Sequence, residues 1–218
     1  MAEVLDPRLD ILSAAQREIW AHLRPFRDLG LVLYGGTAIA LHLGHRDSLD
    51  FDFFGTHPLD KAALRRALSW IGEAAVLHEE VNTLALLAET PSGTVKLSCF
   101  GAMRLGRVRE PAETRGGTLL VASLDDLMAT KLKAILDRAE AKDYRDIAAM
   151  LQAGVSLERG LAAFRKIFRG EPATVLKAIG YFEDGDLASL TPVDRNILRK
   201  ARDRVGALPD VELVLDFG

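Results

Sequence analysis

Tyr34-Gly35-Gly36-Thr37 and, after a short apolar run, His45-Arg46-Asp47-Ser48-Leu49-Asp50-Phe51-Asp52-Phe53-Phe54 are the residues from which the architecture of this chain can be read. They predict an apolar strand from Leu31 to Tyr34, a glycine turn, a helix of under three turns, and a second strand. Side chains alternate along a strand, so Asp50 and Asp52 point to one face while Leu49, Phe51 and Phe53 point to the other. Two carboxylates a few ångström apart repel each other and are hard to keep ionised without a cation between them. Beside a Gly-Gly turn at a helix N-terminus, such a pair suits Mg²⁺ and the phosphates of a nucleotide. The chemistry indicated is phosphoryl or nucleotidyl transfer.

Outward from this core, Ile11, Leu12, Ala15, Ile19 and Leu23 show helical spacing, with Asp10 as the expected cap and Pro25 as the expected end. Asp60 is placed to cap a helix through Leu64, Ala67, Leu68 and Ile71 that stops near Gly72. Ala75–Val81, Thr83–Ala88 and Thr94–Phe100 read as strands, the last two joined by the turn Glu89-Thr90-Pro91-Ser92-Gly93. From Ser123 onward the pattern is helical, with starts at Ser123, Ser156 and Thr191-Pro192 and stops at Gly154, Gly170 and Gly180. Val211–Phe217 is apolar and extended, suited to an edge strand or to packing on a neighbour. The fold class is α+β: a mixed sheet with flanking helices over residues 1–122, and a mostly helical part over 123–218 that completes the site.

Composition narrows the function classes. The chain has 218 residues, 49% apolar and 27% charged, as in an ordinary globular protein. No apolar run approaches the roughly 18 residues of a membrane span, so no membrane association is expected. Met1 to Asp10 has neither a basic nor an apolar signal region, and the lone Cys99 fits a reducing compartment, so the cytoplasm is the expected location. Cys99 itself reads as core packing. A net charge of −3 gives no global case for nucleic acid. Local basic clusters (Arg104, Arg107, Arg109 and Arg115; then Arg195, Arg199, Lys200, Arg202 and Arg204) read first as solvated faces and second as polyanion contacts. His42 and His45 lack partners at zinc spacing.

Helical periodicity sorts the charged residues of the second half. Leu124, Leu127, Met128 and Ile135 form an apolar stripe, and Lys131 falls inside it. Lys133 is turned roughly 200° away, at about 100° per residue. Arg138 shares the face of Lys131. An inward lysine needs an anion or must snorkel outward. In Lys142-Asp143-Tyr144-Arg145-Asp146-Ile147, the apolar side is Tyr144, Ile147, Met150 and Leu151; Asp143 sits at its edge and Asp146 further round. Asp143 is therefore the acid expected to be buried, paired with Lys131 or Arg138, either at a site or as a helix-fixing ion pair.

With these residues in view, the chain resembles the AbiEii/AbiGii nucleotidyltransferase family, the toxin side of a class of bacterial toxin–antitoxin pairs. The resemblance is carried by Gly35-Gly36-Thr37-Ala38, Gly44-His45-Arg46-Asp47-Ser48 leading to Asp50-Phe51-Asp52, Ser123-Leu124-Asp125-Asp126-Leu127, Lys131-Leu132-Lys133-Ala134-Ile135, Arg138 and Lys142-Asp143-Tyr144-Arg145-Asp146. It implies the nucleotidyltransferase fold, an NTP substrate, Mg²⁺, a cognate antitoxin as partner, and transfer of a nucleotide to an acceptor, the tRNA 3′ end being favoured over a protein side chain. It further implies that Gly35, Gly36 and Thr37 cradle the phosphates, with Arg46, Ser48 and Arg138 as further nucleotide contacts. Asp50 and Asp52 would hold metal, Lys131 would neutralise the triphosphate, and Asp143 would polarise the acceptor or orient Lys131.

One departure stands out. Such enzymes often carry a third carboxylate on a later strand, where this chain offers only Lys96 and Ser98. A single metal is then the expectation, with Asp143 supplying the missing charge or catalysis being weak or absent, which leaves a catalytically silent nucleotide- or partner-binding module as the alternative. This reading also expects Asp52→Ala and Lys131→Ala each to abolish transfer while thermal stability stays near that of the unsubstituted protein.

Overall fold

The protein is seen in a computed structural model that describes residues 3–69, 75–215 and 217. Contacts divide the chain into two units: Met1–Arg104 with Pro111–Ala122, and Leu105–Glu110 with Ser123–Gly218.

The first unit is built on an eight-stranded sheet. Its elements are β1 (Val4–Leu5), α1 (Ala14–Trp20), α2 (Arg24–Asp28), β2 (Val32–Tyr34), α3 (Gly35–Leu43), β3 (Asp50–Phe54), α4 (Lys61–Ala67), β4 (Ala75–Glu80), β5 (Thr83–Thr90), β6 (Gly93–Phe100), β7 (Ala112–Thr114) and β8 (Leu120–Val121). The strand order is β1-β7-β8-β2-β3-β6-β5-β4. The sheet is mixed: β3 runs parallel to β6 and antiparallel to β2.

Register follows from burial. Phe51, Phe53, Leu33 and Leu97 are at most 1% exposed, and Phe53 stacks on Phe26 with ring centroids 4.4 Å apart. A one-residue slip of β3 would drive Asp50 and Asp52 into that core and expose both phenylalanines. Each buried phenylalanine contributes about 2–3 kcal/mol, so the slip is strongly disfavoured and the acids are held on the opposite face. Leu49 departs from the expected alternation: it precedes the strand and is exposed.

Several boundaries differ from the sequence reading, each for a local reason. The cap of α1 is Ser13, not Asp10, because Ser13 and Gln16 form a reciprocal capping box while Asp10 pairs with Arg8. Pro25 opens α2 rather than closing the preceding helix, since its missing N–H is harmless in a first turn. Asp60 does cap α4, accepting from the Ala63 amide at 2.8 Å. The expected Ile71 and Gly72 end of that helix lies outside the described residues. β1, β7 and β8 are two or three residues long, too short to carry a readable period.

The second unit is helical: α5 (Leu124–Asp137), α6 (Ala141–Gln152), α7 (Leu157–Phe168), α8 (Pro172–Ile179) and α9 (Pro192–Arg204). Ser123, Ser156 and Thr191 cap α5, α7 and α9 as their sequence signals predict. α5 packs with α6, α7 and α8 around Leu127, Met128, Leu132, Ile147, Leu161 and Phe164, all buried. Among its described residues the C-terminal tail forms no strand of the sheet; Leu215 makes an isolated antiparallel bridge to Arg107.

Candidate functional site

In the first unit the glycine turn and the acid strand meet. Tyr34 of β2 pairs with Asp52 of β3 in antiparallel register, and α3 begins at the next residue. Gly35 has φ +75°, a left-handed conformation that favours glycine, and a Cβ there would stand 3.0 Å from Asp52 Oδ2. A Cβ on Gly36 would fall 2.4 Å from Arg46 Nη2 and 3.2 Å from Ser48 Oγ. The backbone at the start of α3 is thus reached by a carboxylate, a guanidinium and a hydroxyl. The Tyr34 side chain does not cap α3, and the start of the helix is electropositive. An anion such as phosphate is the ligand this geometry favours.

Asp50 is exposed and Asp52 half-exposed on their shared face. The parallel register with β6 sets Lys96 beside Asp50 and Ser98 beside Asp52. No acid of β6 therefore joins the pair, and among the described residues no group of three or more His, Cys, Asp or Glu side chains stands ready to hold a metal ion. The two carboxylates still fit a hard divalent cation: they are oxygen donors on one face, open to the water molecules and phosphate oxygens that such ions keep. The charge of Asp52 is felt through the sheet, where burial first and Asp52 second push the Cys99 thiol up to about 12. Cys99 is buried and inert, as expected for core packing.

Thr37 and Ser48 are arranged differently from simple ligand contacts. Thr37 is 1% exposed, and its hydroxyl lies against the Asp50 carbonyl and 2.8 Å from Ser48 Oγ. The carbonyl only accepts, so Thr37 donates to it and Ser48 donates to Thr37. Thr37 holds the entry to β3 with its side chain and has only its main chain to offer a ligand. Gln16, which the sequence reading did not single out, is fully buried and donates to the Ser48 carbonyl at 2.7 Å. Its signal was legible: Ser13-x-x-Gln16 is a capping-box pattern. His42 donates from Nε2 to the Ala122 carbonyl at 2.9 Å, a structural role. A cleft lined by Leu31, Gly55, His57 and Asp60 lies past the far end of β3 and contains none of the expected site residues.

The second unit holds a closed ion cluster. Lys131 of α5 is 6% exposed, and its ammonium donates to Asp143 Oδ1 at 2.6 Å and contacts Asp146 Oδ2 at 2.7 Å. Arg138 donates from Nε to Asp143 Oδ2 at 2.8 Å. Asp143 and Asp146, both from α6, are fully buried. Burial alone would raise the Asp143 carboxyl, but the Arg138 hydrogen bond and the Lys131 charge outweigh it and hold it below the usual range. The sequence reading placed Asp146 away from this centre. A three-residue step returns within about 60° on a helix, so Asp143 and Asp146 share a face. Arg138 is not a helical residue sharing the Lys131 face: it is the extended cap after α5, half-exposed, and still reaches Asp143. Lys133 pairs with Asp137 on the exposed side, as periodicity predicts.

The basic clusters are largely engaged. Arg107 pairs with Glu110, Arg109 with Asp125 and Arg115 with Asp6. Arg195 and Arg199 both lie over the Phe182 ring, 5.6 and 5.1 Å from its centroid.

The family described as Nucleotidyl transferase AbiEii toxin, Type IV TA system, matches residues 18–216. An uncharacterized protein of Aquifex aeolicus (strain VF5) is 28% identical over 156 residues, covering 70% of this chain and 73% of that protein. Among solved structures, MenT4, a nucleotidyltransferase toxin from Mycobacterium tuberculosis H37Rv, superposes with a TM-score of 0.59 at 15% identity, covering 88% of this chain and 84% of that one. That likeness is one of fold, and it agrees with the mixed-sheet α+β architecture.

Proposed function

We propose, from the premise that this chain belongs to the AbiEii nucleotidyl transferase toxin family, that it transfers a nucleotide from an NTP to an acceptor, with the tRNA 3′ end favoured. The observation that carries the reading is the pair Asp50 and Asp52 on one open sheet face beside the glycine-opened start of α3. A bound Mg²⁺ on these carboxylates would screen phosphate charge and polarise the reacting phosphoryl group. The chain's own residues do the rest. The amides of Gly35, Gly36 and Thr37 donate to phosphate oxygens, and Arg46, held against Gly36, adds a cation. Within the second unit, Asp143 orients Lys131 and Arg138, the first proposed to neutralise triphosphate charge and the second to contact nucleotide. A cytoplasmic location and a cognate antitoxin partner belong to the same proposal.

A second reading, a nucleotide-binding module without turnover, is favoured by one observation: the Lys131 ammonium already holds two buried carboxylates. A single assay separates the two. The protein is incubated with each labelled NTP, Mg²⁺ and bulk tRNA or cell lysate, and both label transfer and pyrophosphate are measured. Label on tRNA with pyrophosphate release supports the proposal, and label on protein redirects it to a protein acceptor. NTP-dependent thermal stabilisation with no pyrophosphate selects the second reading.

A further inference from the structure

Gln16 stands just ahead of the family-matched segment, yet both ends of its amide are used. Oε1 accepts from the Ser13 amide at 2.9 Å, which completes the α1 capping box. Nε2 donates to the Ser48 carbonyl at 2.7 Å. The assignment of the two atoms is forced, because an amide N–H needs an acceptor and a carbonyl needs a donor. Two residues on, the Asp50 carbonyl is held by Thr37 from α3. Two buried side chains from two helices therefore grip alternate carbonyls of the segment that delivers Asp50 and Asp52.

Only one of these grips belongs to the helix that forms the glycine turn. Gln16 instead ties the path of Ser48 to α1. A buried amide committed at both ends resists displacement, since releasing Ser48 would leave a buried donor unsatisfied. Ser48 precedes Asp50 by a single residue, Leu49, which is exposed. Without the amide, the segment from Ser48 to Asp50 would keep its ties to Thr37 of α3 and lose its tie to α1.

We infer that Gln16 is a positioning residue for the metal-holding strand: it sets the backbone path from Ser48 to Asp50, and with it the angle at which the two carboxylates face a cation. The inference rests on the metal reading of Asp50 and Asp52 given above. Two substitutions divide the two functions of the amide. Gln16→Glu keeps an oxygen for the Ser13 amide but removes the donor to Ser48. Ser13→Ala removes the hydroxyl that caps α1 and leaves the Gln16–Ser48 bond in place.

The test is Mn²⁺ binding to the full chain without nucleotide, followed by electron paramagnetic resonance, with a thermal melt of each variant. Gln16→Glu should weaken Mn²⁺ about tenfold or more, the range for removing a group that orients a metal ligand. Ser13→Ala should bind Mn²⁺ like the unsubstituted protein while melting about 2–4 °C lower. Unchanged Mn²⁺ affinity in folded Gln16→Glu overturns the inference and leaves the metal reading intact. No Mn²⁺ binding by the unsubstituted protein overturns the metal reading and this inference together. If Gln16→Glu does not fold, Gln16→Met, uncharged and of similar volume, replaces it with the same two outcomes.

Discussion

Asp50 and Asp52 stand exposed and half-exposed on an open sheet face, whereas Asp143 and Asp146 are fully buried with the Lys131 ammonium between them. The residue type is the same; the solvent is not. A carboxylate that stays in contact with water pays little desolvation, so the strand pair can keep its charge for a ligand. In the helical unit each carboxylate would be strongly disfavoured without its cation, so the charges satisfy one another. The open pair is built to receive something and contributes little to folding. The closed cluster contributes to folding whether or not it also serves the reaction.

The sharpest way to break this contrast is Asp52→Asn. Transfer should fall by about a thousandfold, equivalent to roughly 4 kcal/mol of transition-state stabilisation. Stability in urea should stay within about 0.5 kcal/mol, or rise slightly as carboxylate repulsion is relieved. A large loss of stability would show that the strand acids are structural.

Lys131→Met should do the opposite. Removing the ammonium takes a shared cation from two buried carboxylates, and unfolding free energy should drop by about 3–5 kcal/mol. This replaces the expectation, drawn from the sequence, that Lys131→Ala leaves stability untouched. Adding Asp146→Leu to Lys131→Met should restore part of the loss, because it removes one of the stranded charges. A Lys131→Met protein as stable as the parent would mean that the cluster is not what the burial indicates.

These two regions were not equally legible. The strand pair declares itself because a period of two leaves no choice once Phe51 and Phe53 are buried. Lys131 was readable for a similar reason, being four residues from Leu127 and Ile135 on the same stripe. Asp146 was not, because its position was judged from the centre of the apolar side rather than from Asp143, three residues away. Arg138 was misplaced because a helix end is set by hydrogen bonds that periodicity does not report. Gln16 escaped notice although its capping-box spacing was visible; what the sequence hides is the long-range bond to Ser48, 32 residues along the chain. The short strands β1, β7 and β8 owe their existence to partners rather than to propensity.

The smallest effect separates the two units by pH. Burial, opposed by the Ala122 carbonyl bond and the Glu3 charge, holds His42 of the first unit below its usual range. The unfolded chain then binds the proton more readily, so stability is full above about pH 6.5 and declines as pH falls towards the folded value. Asp143 of the second unit is also held low, but its ordinary range is acidic. Its contribution is full above about pH 4 and disappears only as pH falls further. Each group can tilt stability by at most about 1.4 kcal/mol per pH unit. Urea denaturation across pH 3–8 should therefore show a shallow decline below about pH 6.5 that His42→Gln flattens. It should also show a separate acid decline that Asp143→Asn flattens. If His42→Gln leaves the upper decline intact, the imidazole is not the group that links the first unit to neutral pH, and the buried charges of the helical unit must account for the whole curve.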